Sequence, residues 1–250
     1  FILLFFVVPV LQGQTFVSSN LPIIKINTKG KAIVNEPKIL ADMELIYNGV
    51  GKINNVTDKP TGYLGKTGIE FRGSTSQQFF PKKPYGFELW VDSTEKSRNV
   101  ALVGMPEESD WVLNATYNDK TLMRDVLAYD IANRMGRYAT RSRYCEMVIN
   151  DKYEGLYILM EKVKKDKNRV DISSLKITDN TGDDVTGGYL LKIDKSEGSK
   201  SKLWNTTLTV NGVNYTIPIQ IEYPKITDIT DAQFNYIKNY VTEFETSLKG

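Results

Sequence analysis

The sequence predicts an α+β chain, and three observations predict it. Short apolar or alternating stretches fill the first hundred or so residues, with no helical period among them. A single three- and four-residue apolar rhythm then appears at residues 122–135, followed by two hairpin signals and a last amphipathic stretch. Strands grouped before and after a helix, rather than alternating with helices, argue against regular βαβ repeats. In order, Leu21–Ile26 and Ala41–Tyr47 read as strands, and Asn48–Gly68 as a loop rich in Gly, Asn, Thr and Pro. Ile69–Arg72 and Tyr85–Val91 read as strands flanking a Ser/Gln/Pro/Lys loop, and Trp111–Asn114 as a further strand. Leu122, Met123, Val126, Leu127, Ile131 and Met135 predict a helix, started by Asn118 or Asp119 and closed by Gly136. Asn150-Asp151 joins the strands Tyr144–Ile149 and Tyr153–Glu161, Gly188–Ile193 is another strand, and Asn211-Gly212 marks a second hairpin. Asp231 opens a terminal helix with Phe234, Ile237, Val241, Phe244 and Leu248 on one stripe, and Thr230 with Gln233 supplies a capping box.

Composition narrows the chemistry. The 250 residues are 41% hydrophobic and 25% charged, with a formal charge of +2, which fits a globular chain and neither a disordered tail nor a polybasic arm. No histidine excludes a Ser-His-Asp or Cys-His pair and most zinc sites. A single cysteine, Cys145, excludes an intrachain disulfide framework and a CxxC site. Carboxylates, Lys/Arg, hydroxyls and backbone amides remain, a set suited to phosphoryl transfer or carbohydrate chemistry with a hard metal ion.

Phe1–Leu11 is almost wholly apolar but too short to span a bilayer, so residues 1–14 read as the h-region and cleavage side of a secretory signal. The chain is expected to be exported, with no stable membrane span. No methionine or basic stretch precedes this run, and the sequence reads as a fragment at its start and, at Lys249-Gly250, at its end.

Gly65-Lys66-Thr67 lacks the earlier glycine of a P-loop, where Pro60 stands, and reads as a polar turn. The basic run Lys162–Arg169 has no interleaved aromatics and does not suggest nucleic-acid binding. The stronger candidates are Arg72, Lys82 and Lys83, in a small-residue loop suited to an anion, and the carboxylates Glu161, Asp171 and Asp194. Asp194, at the end of a strand read as buried and apolar, needs a cation or metal, with Lys192 or Lys195 as alternative partners. Such carboxylates could hold Mg²⁺ beside Lys/Arg, or act as acid and base on a glycoside.

The segments Gly68–Ser76, Phe80–Tyr85, Leu102–Pro106, Asp110–Leu113, Asp119–Tyr129, Gly155–Lys162, Asn168–Ile172 and Gly187–Asp194 together resemble the CotH family, the spore-coat-protein-H-like atypical protein kinases, in their secreted, Bacteroidota-type members. The resemblance implies a highly diverged protein-kinase-like fold with mixed and antiparallel sheets and helices, over residues 68–250, after a strand-rich segment 15–67. It implies ATP with Mg²⁺ or Mn²⁺ as cofactors, and phosphorylation of Ser/Thr on secreted or surface proteins. Arg72, Lys82 and Lys83 would meet the phosphates, Glu161 would order a lysine, and Asp171 and Asp194 would be the catalytic and metal carboxylates, gathered on one divalent ion. A non-catalytic surface module on the same fold is the alternative. Two departures stand out. Gly86 occupies a place where many members carry a basic residue, and the Trp-Asp-Phe-Asp-like metal segment of the family falls beyond the last residue, so weak nucleotide binding is expected if that segment is needed.

Overall fold

The structure, a computed structural model, describes residues 15–196 and 201–249; the expected leader 1–14 lies outside the described residues. They fall into two compact units: residues up to Ile131 with Thr140–Lys162, and Ala132–Ala139 with residues from Val163 onward.

The first unit contains β1 (Ser18–Ser19), β2 (Ile23–Asn27), β3 (Ile39–Ile46), β4 (Asn54–Asn55), β5 (Tyr63–Phe71), the one-turn helix α1 (Thr75–Phe79), β6 (Tyr85–Trp90), β7 (Asp110–Asn114), most of helix α2 (Arg124–Arg134), β8 (Ser142–Ile149) and β9 (Lys152–Glu161). Seven of the strands close into a barrel in the order β2-β3-β5-β6-β7-β9-β8, and β1 pairs with β4 beside it. Neighbours are antiparallel except β2 and β8, whose parallel pairing closes the ring. Side chains alternate as a half-solvated sheet requires: Ala41, Met43 and Leu45 are buried between half-buried Asp42 and Glu44, and Tyr85, Phe87 and Leu89 between Gly86 and Glu88. The interior gathers Met43, Phe87, Trp111, Leu113, Tyr157 and Leu159. Each large side chain there contributes about 1.5–3 kcal/mol of burial.

Two readings change here. Gly65-Lys66-Thr67 is not a polar turn but the middle of β5, which begins at Tyr63, inside the stretch read as loop; Lys66 is held there by an ion pair with Asp42. Gly68 owes its place to Trp90, whose ring carbon Cζ2 lies 2.1 Å from where a Cβ would stand. Trp90 is buried, so Gly68→Ala must displace it. Urea denaturation is expected to show a loss of about 1–3 kcal/mol, and an unchanged midpoint would refute this account.

Helix α2 begins at Arg124, two residues later than expected: Asp119 accepts the Thr121 hydroxyl at 2.7 Å and the Arg124 and Thr121 amides, each at 3.0 Å, and these hydrogen bonds, the hydroxyl's first, hold its pKa down to about 2. Gly136, at φ +77°, turns the chain after its end. Its predicted apolar stripe is not core, however. Met123, Leu127, Ile131 and Met135 are exposed, and only Val126 and Tyr129 pack, against Val112, Ile158 and Met160 on the outside of the barrel. The barrel fills itself, so it asks little of the helix.

The second unit is a three-stranded antiparallel sheet, β10 (Leu190–Ile193), β11 (Leu203–Val210) and β12 (Val213–Tyr223) in the order β10-β12-β11, with helix α3 (Asp231–Lys249). The Asn211-Gly212 turn has φ of 50° and 77°, as a two-residue hairpin needs. Thr230 and Gln233 form the capping box at 3.1 and 3.2 Å. Ile237 is buried, with Phe234 and Val241 packing beside it on Trp204, Ile219 and Ile221. The outer half of the predicted stripe is not core: Phe244 and Leu248 are exposed, because the apolar cluster of this small sheet ends before them. Among the described residues the architecture is α+β, mostly strand, with three α-helices.

Candidate functional site

Arg72, Lys82, Lys83 and Glu161 belong to the barrel unit, Asp171 and Asp194 to the other. The β5–β6 connection carries the three cations. Gly73 sits at φ +83° with Ser76 Oγ 2.3 Å from where a Cβ would stand, so only glycine turns the chain there. Lys83 staples the loop, its Nζ donating to the Gln77 and Phe80 carbonyls at 2.5 and 2.6 Å. Lys82 donates to the Leu156 carbonyl and lies 4.3 Å above the Tyr157 ring, and burial lowers its pKa. The exposed Arg72 guanidinium makes no hydrogen bond or ion pair among the described residues. Of the three cations, Arg72 alone is ready for an incoming anion; the lysines would first have to leave backbone carbonyls.

Glu161 ends β9 with a wholly buried side chain. Arg141 holds it twice, Nη2 to Oε1 at 2.7 Å and Nε to Oε2 at 2.9 Å, and the Arg141 amide adds a third bond at 3.1 Å. Two parallel charge-assisted bonds meet the cost of burying a carboxylate. A cation that holds Glu161 is thus Arg141, just before the partner strand β8. The sequence hid this pairing. The Asn150-Asp151 turn, with φ of 49° and 62°, pairs Ile149 with Lys152, a count that would set Arg141 against Met160. A bulge at Glu154 adds one residue to β9, so Ser142 faces Met160 and Arg141 reaches Glu161.

Beside Arg72 on the outer barrel face lies a cleft that sequence reasoning missed, lined by Lys38, Glu70, Arg72, Gly86, Asp110 and Lys162. Lys38 pairs with Glu88 at 2.7 Å and with Asp110 at 3.4 Å. Burial opposes its charge, but these carboxylates outweigh it and raise its pKa. Glu70 stands opposite Gly86 in the β5–β6 register, and burial raises its pKa. The signal available in sequence was Gly86 itself.

In the second unit, β12 frames both carboxylate segments. Buried Gln220 donates to the Asp194 and Lys195 carbonyls at 3.0 and 2.7 Å. The Tyr223 hydroxyl accepts the Leu175 amide at 3.2 Å, four residues after Asp171. The strand before Asp194 is not a buried one. Its residues are half-buried, Ile193 is exposed, and Asp194 is exposed, accepting the Lys195 amide at 2.8 Å. Lys192, one of its two alternative partners, pairs with Glu222 at 2.9 Å. The burial argument made for Asp194 applies to Glu161. Asp171 is exposed as well, whereas Arg169, in the basic run Lys162–Arg169, is buried. Among the described residues no three His, Cys, Asp or Glu cluster as a ready-made metal cage. Hard oxygen donors, a polarised backbone and a ready arginine are the chemistry present.

No helix of the described residues is long and apolar enough to cross a membrane. No curated protein matches the chain. The family model described as CotH kinase protein matches residues 69–249, from within β5 through α3, and the chain therefore belongs to the CotH family.

Proposed function

We propose that this chain is a secreted atypical protein kinase that transfers the γ-phosphate of ATP to Ser/Thr of extracellular or surface proteins, on a diverged kinase-like fold. The observation that carries the reading is the family match over a region holding Arg72, Lys82, Lys83, Glu161, Asp171 and Asp194 together, in a chain without histidine. Arg72 neutralises phosphate charge, and Lys82 and Lys83 join it when a nucleotide draws them from their carbonyls. Glu161 and Arg141 fix the barrel wall below them. Asp171 and Asp194, exposed carboxylates on backbone held by β12, suit Mg²⁺ or Mn²⁺, which takes oxygen ligands and keeps several from water or phosphate. Bound there, the ion would neutralise developing phosphate charge, and the remaining carboxylate would accept the proton of the attacking hydroxyl. The apolar run at residues 1–11 supports export.

The test is incubation of the chain with labelled ATP, Mn²⁺ and a serine-rich acceptor. Transfer is expected, reduced about 100-fold or more by Asp194→Asn and by Asp171→Asn. No transfer, or variants as active as the parent chain, defeats the proposal. Gly86 favours one other reading, a non-catalytic surface module that has lost a basic side chain there. Calorimetry separates them: metal-dependent nucleotide binding belongs to the enzyme, and partner binding indifferent to Asp171 and Asp194 to the module.

A further inference from the structure

We propose that Gly155, Leu156 and Tyr157 of β9 form a latch on the loop 73–83, one that withholds Lys82 and Lys83 from an anion until the loop lifts. Nucleotide phosphate as that anion rests on the kinase reading; the latch does not.

The loop is built as a separable lobe. The Arg72 amide donates to the Pro84 carbonyl at 2.9 Å, which pinches its two ends together. Lys83 Nζ, bonded to the Gln77 and Phe80 carbonyls, ties the lobe to itself rather than to the barrel. None of residues 73–84 is buried, so lifting it exposes little apolar surface. Its ties to the barrel include Gln77 on Asn35 at 2.6 Å, the Phe80 ring 5.4 Å from that of Tyr117, and the contacts on β9.

One residue of β9 reaches both lysines. Tyr157 is buried; its ring lies 4.3 Å from Lys82 Nζ, and its hydroxyl donates to the Lys83 carbonyl at 3.0 Å. The Leu156 carbonyl accepts from Lys82 Nζ, and a Cβ on Gly155 would stand 3.7 Å from that nitrogen. Ring, carbonyl and glycine together make a seat cut for an ammonium.

The seat is electrostatically poor, and that lets it release. Burial lowers the Lys82 pKa by more than Cys145, Glu146 and Glu154 raise it. No carboxylate pairs with Lys82 among the described residues: Glu146 accepts from Ser19 and Tyr153, and Glu154 pairs with Lys152 at 2.9 Å. A carbonyl and a ring give an ammonium less than the water it left, and the other ties of the lobe keep it seated at that loss. A phosphate gives it more. An anion must therefore lift the loop first, and its apparent affinity falls by the fraction of molecules whose loop is already open. The latch also fixes where Lys82 starts from, so turnover mixes release with placement, whereas anion binding reads release.

Lys82→Arg tests the latch. A guanidinium is one bond longer and forked, so it overruns the seat between Leu156 and Gly155, yet it binds phosphate at least as well as an ammonium. The amides of residues 73–80 are expected to exchange with deuterium about ten-fold faster than in the parent chain. Inorganic tripolyphosphate, titrated without metal, is expected to bind about three-fold tighter or more. Tyr157→Phe, which takes the hydroxyl from the Lys83 carbonyl and leaves both lysines in place, should move both readings the same way by less. Unchanged exchange in Lys82→Arg, or tripolyphosphate bound no tighter by it, would overturn the proposal. So would a tighter Lys82→Arg beside a Tyr157→Phe unchanged in both readings, since the gain would then belong to the guanidinium itself. Both shifts in a chain that neither binds nor turns over ATP with Mn²⁺ would sink the kinase reading and keep the latch. Turnover of ATP with neither shift would do the reverse.

Discussion

Arg141→Met is expected to cost the barrel about 3–5 kcal/mol. The Glu161 side chain is wholly buried and receives both forks of the Arg141 guanidinium and its amide. Methionine keeps the volume and removes the fork, so a buried carboxylate must either stay charged without it or take up a proton. Breaking such a pair from one side is the costly change, whereas neutralising both partners together costs far less. Glu161→Gln in the same chain should therefore recover much of the loss, and the cycle of single and double variants should show a coupling of roughly 2 kcal/mol. Chemical denaturation followed by far-ultraviolet circular dichroism measures all four chains. At about 2–4 °C per kcal/mol for a protein of this size, the single variant should melt roughly 10 °C lower. A loss under about 1 kcal/mol, or a double variant no better than the sum of the singles, would show that the pair is dispensable. Under the kinase reading the same substitution also lowers phosphate transfer, because β9 carries both Glu161 and the Leu156 carbonyl that holds Lys82.

What could be read from sequence was local, and what could not was the pairing of distant strands. Asn150-Asp151 and Asn211-Gly212 announce their hairpins because φ above zero at both turn residues is cheap only for a few residue types. Thr230 and Gln233 announce α3 because a capping box satisfies orphan amides within four residues. The barrel, by contrast, depends on Ile24 meeting Met147 in a parallel pair, which no local pattern encodes. The Glu154 bulge moves Arg141 by one place and leaves no sharper trace than Gly155 at φ +88°. Apolar periodicity overstated the core of α2, because Met123, Leu127 and Ile131 satisfy a helical rhythm while the barrel packs without them. Among the candidate carboxylates, burial falls on a different residue from the one the sequence singled out. Asp194 was singled out as a buried carboxylate and is exposed; Glu161 is the buried one.

Gly188→Ala should cost about 3 kcal/mol in the second unit and, under the kinase reading, cut phosphate transfer at the same time. Two penalties add there. Gly188 sits at φ +78°, where a side chain costs about 1–2 kcal/mol. A Cβ on it would also stand 2.4 Å from the Ser173 carbonyl oxygen and 3.3 Å from its carbon, so backbone rather than a flexible side chain must move. Such overpacking typically costs about 1–3 kcal/mol. The close approach has a consequence for the carboxylates. Ser173 follows Asp171 by two residues, and Gly188 leads into β10, which ends just before Asp194. The contact therefore sets the spacing between the two segments, while Tyr223 and Gln220 of β12 hold each of them from the other side. Pushing Ser173 away moves Asp171 relative to Asp194 and leaves both side chains chemically intact. If the two carboxylates share one metal ion, Gly188→Ala should weaken Mn²⁺-dependent nucleotide binding at a temperature where circular dichroism shows the variant folded. Gly187→Ala is the control: it has no atom within 4 Å of a built Cβ and ordinary φ, and should change neither stability nor binding. A folded Gly188→Ala with unaltered metal dependence would mean that the spacing of Asp171 and Asp194 does not matter, and that they do not act on a common ion.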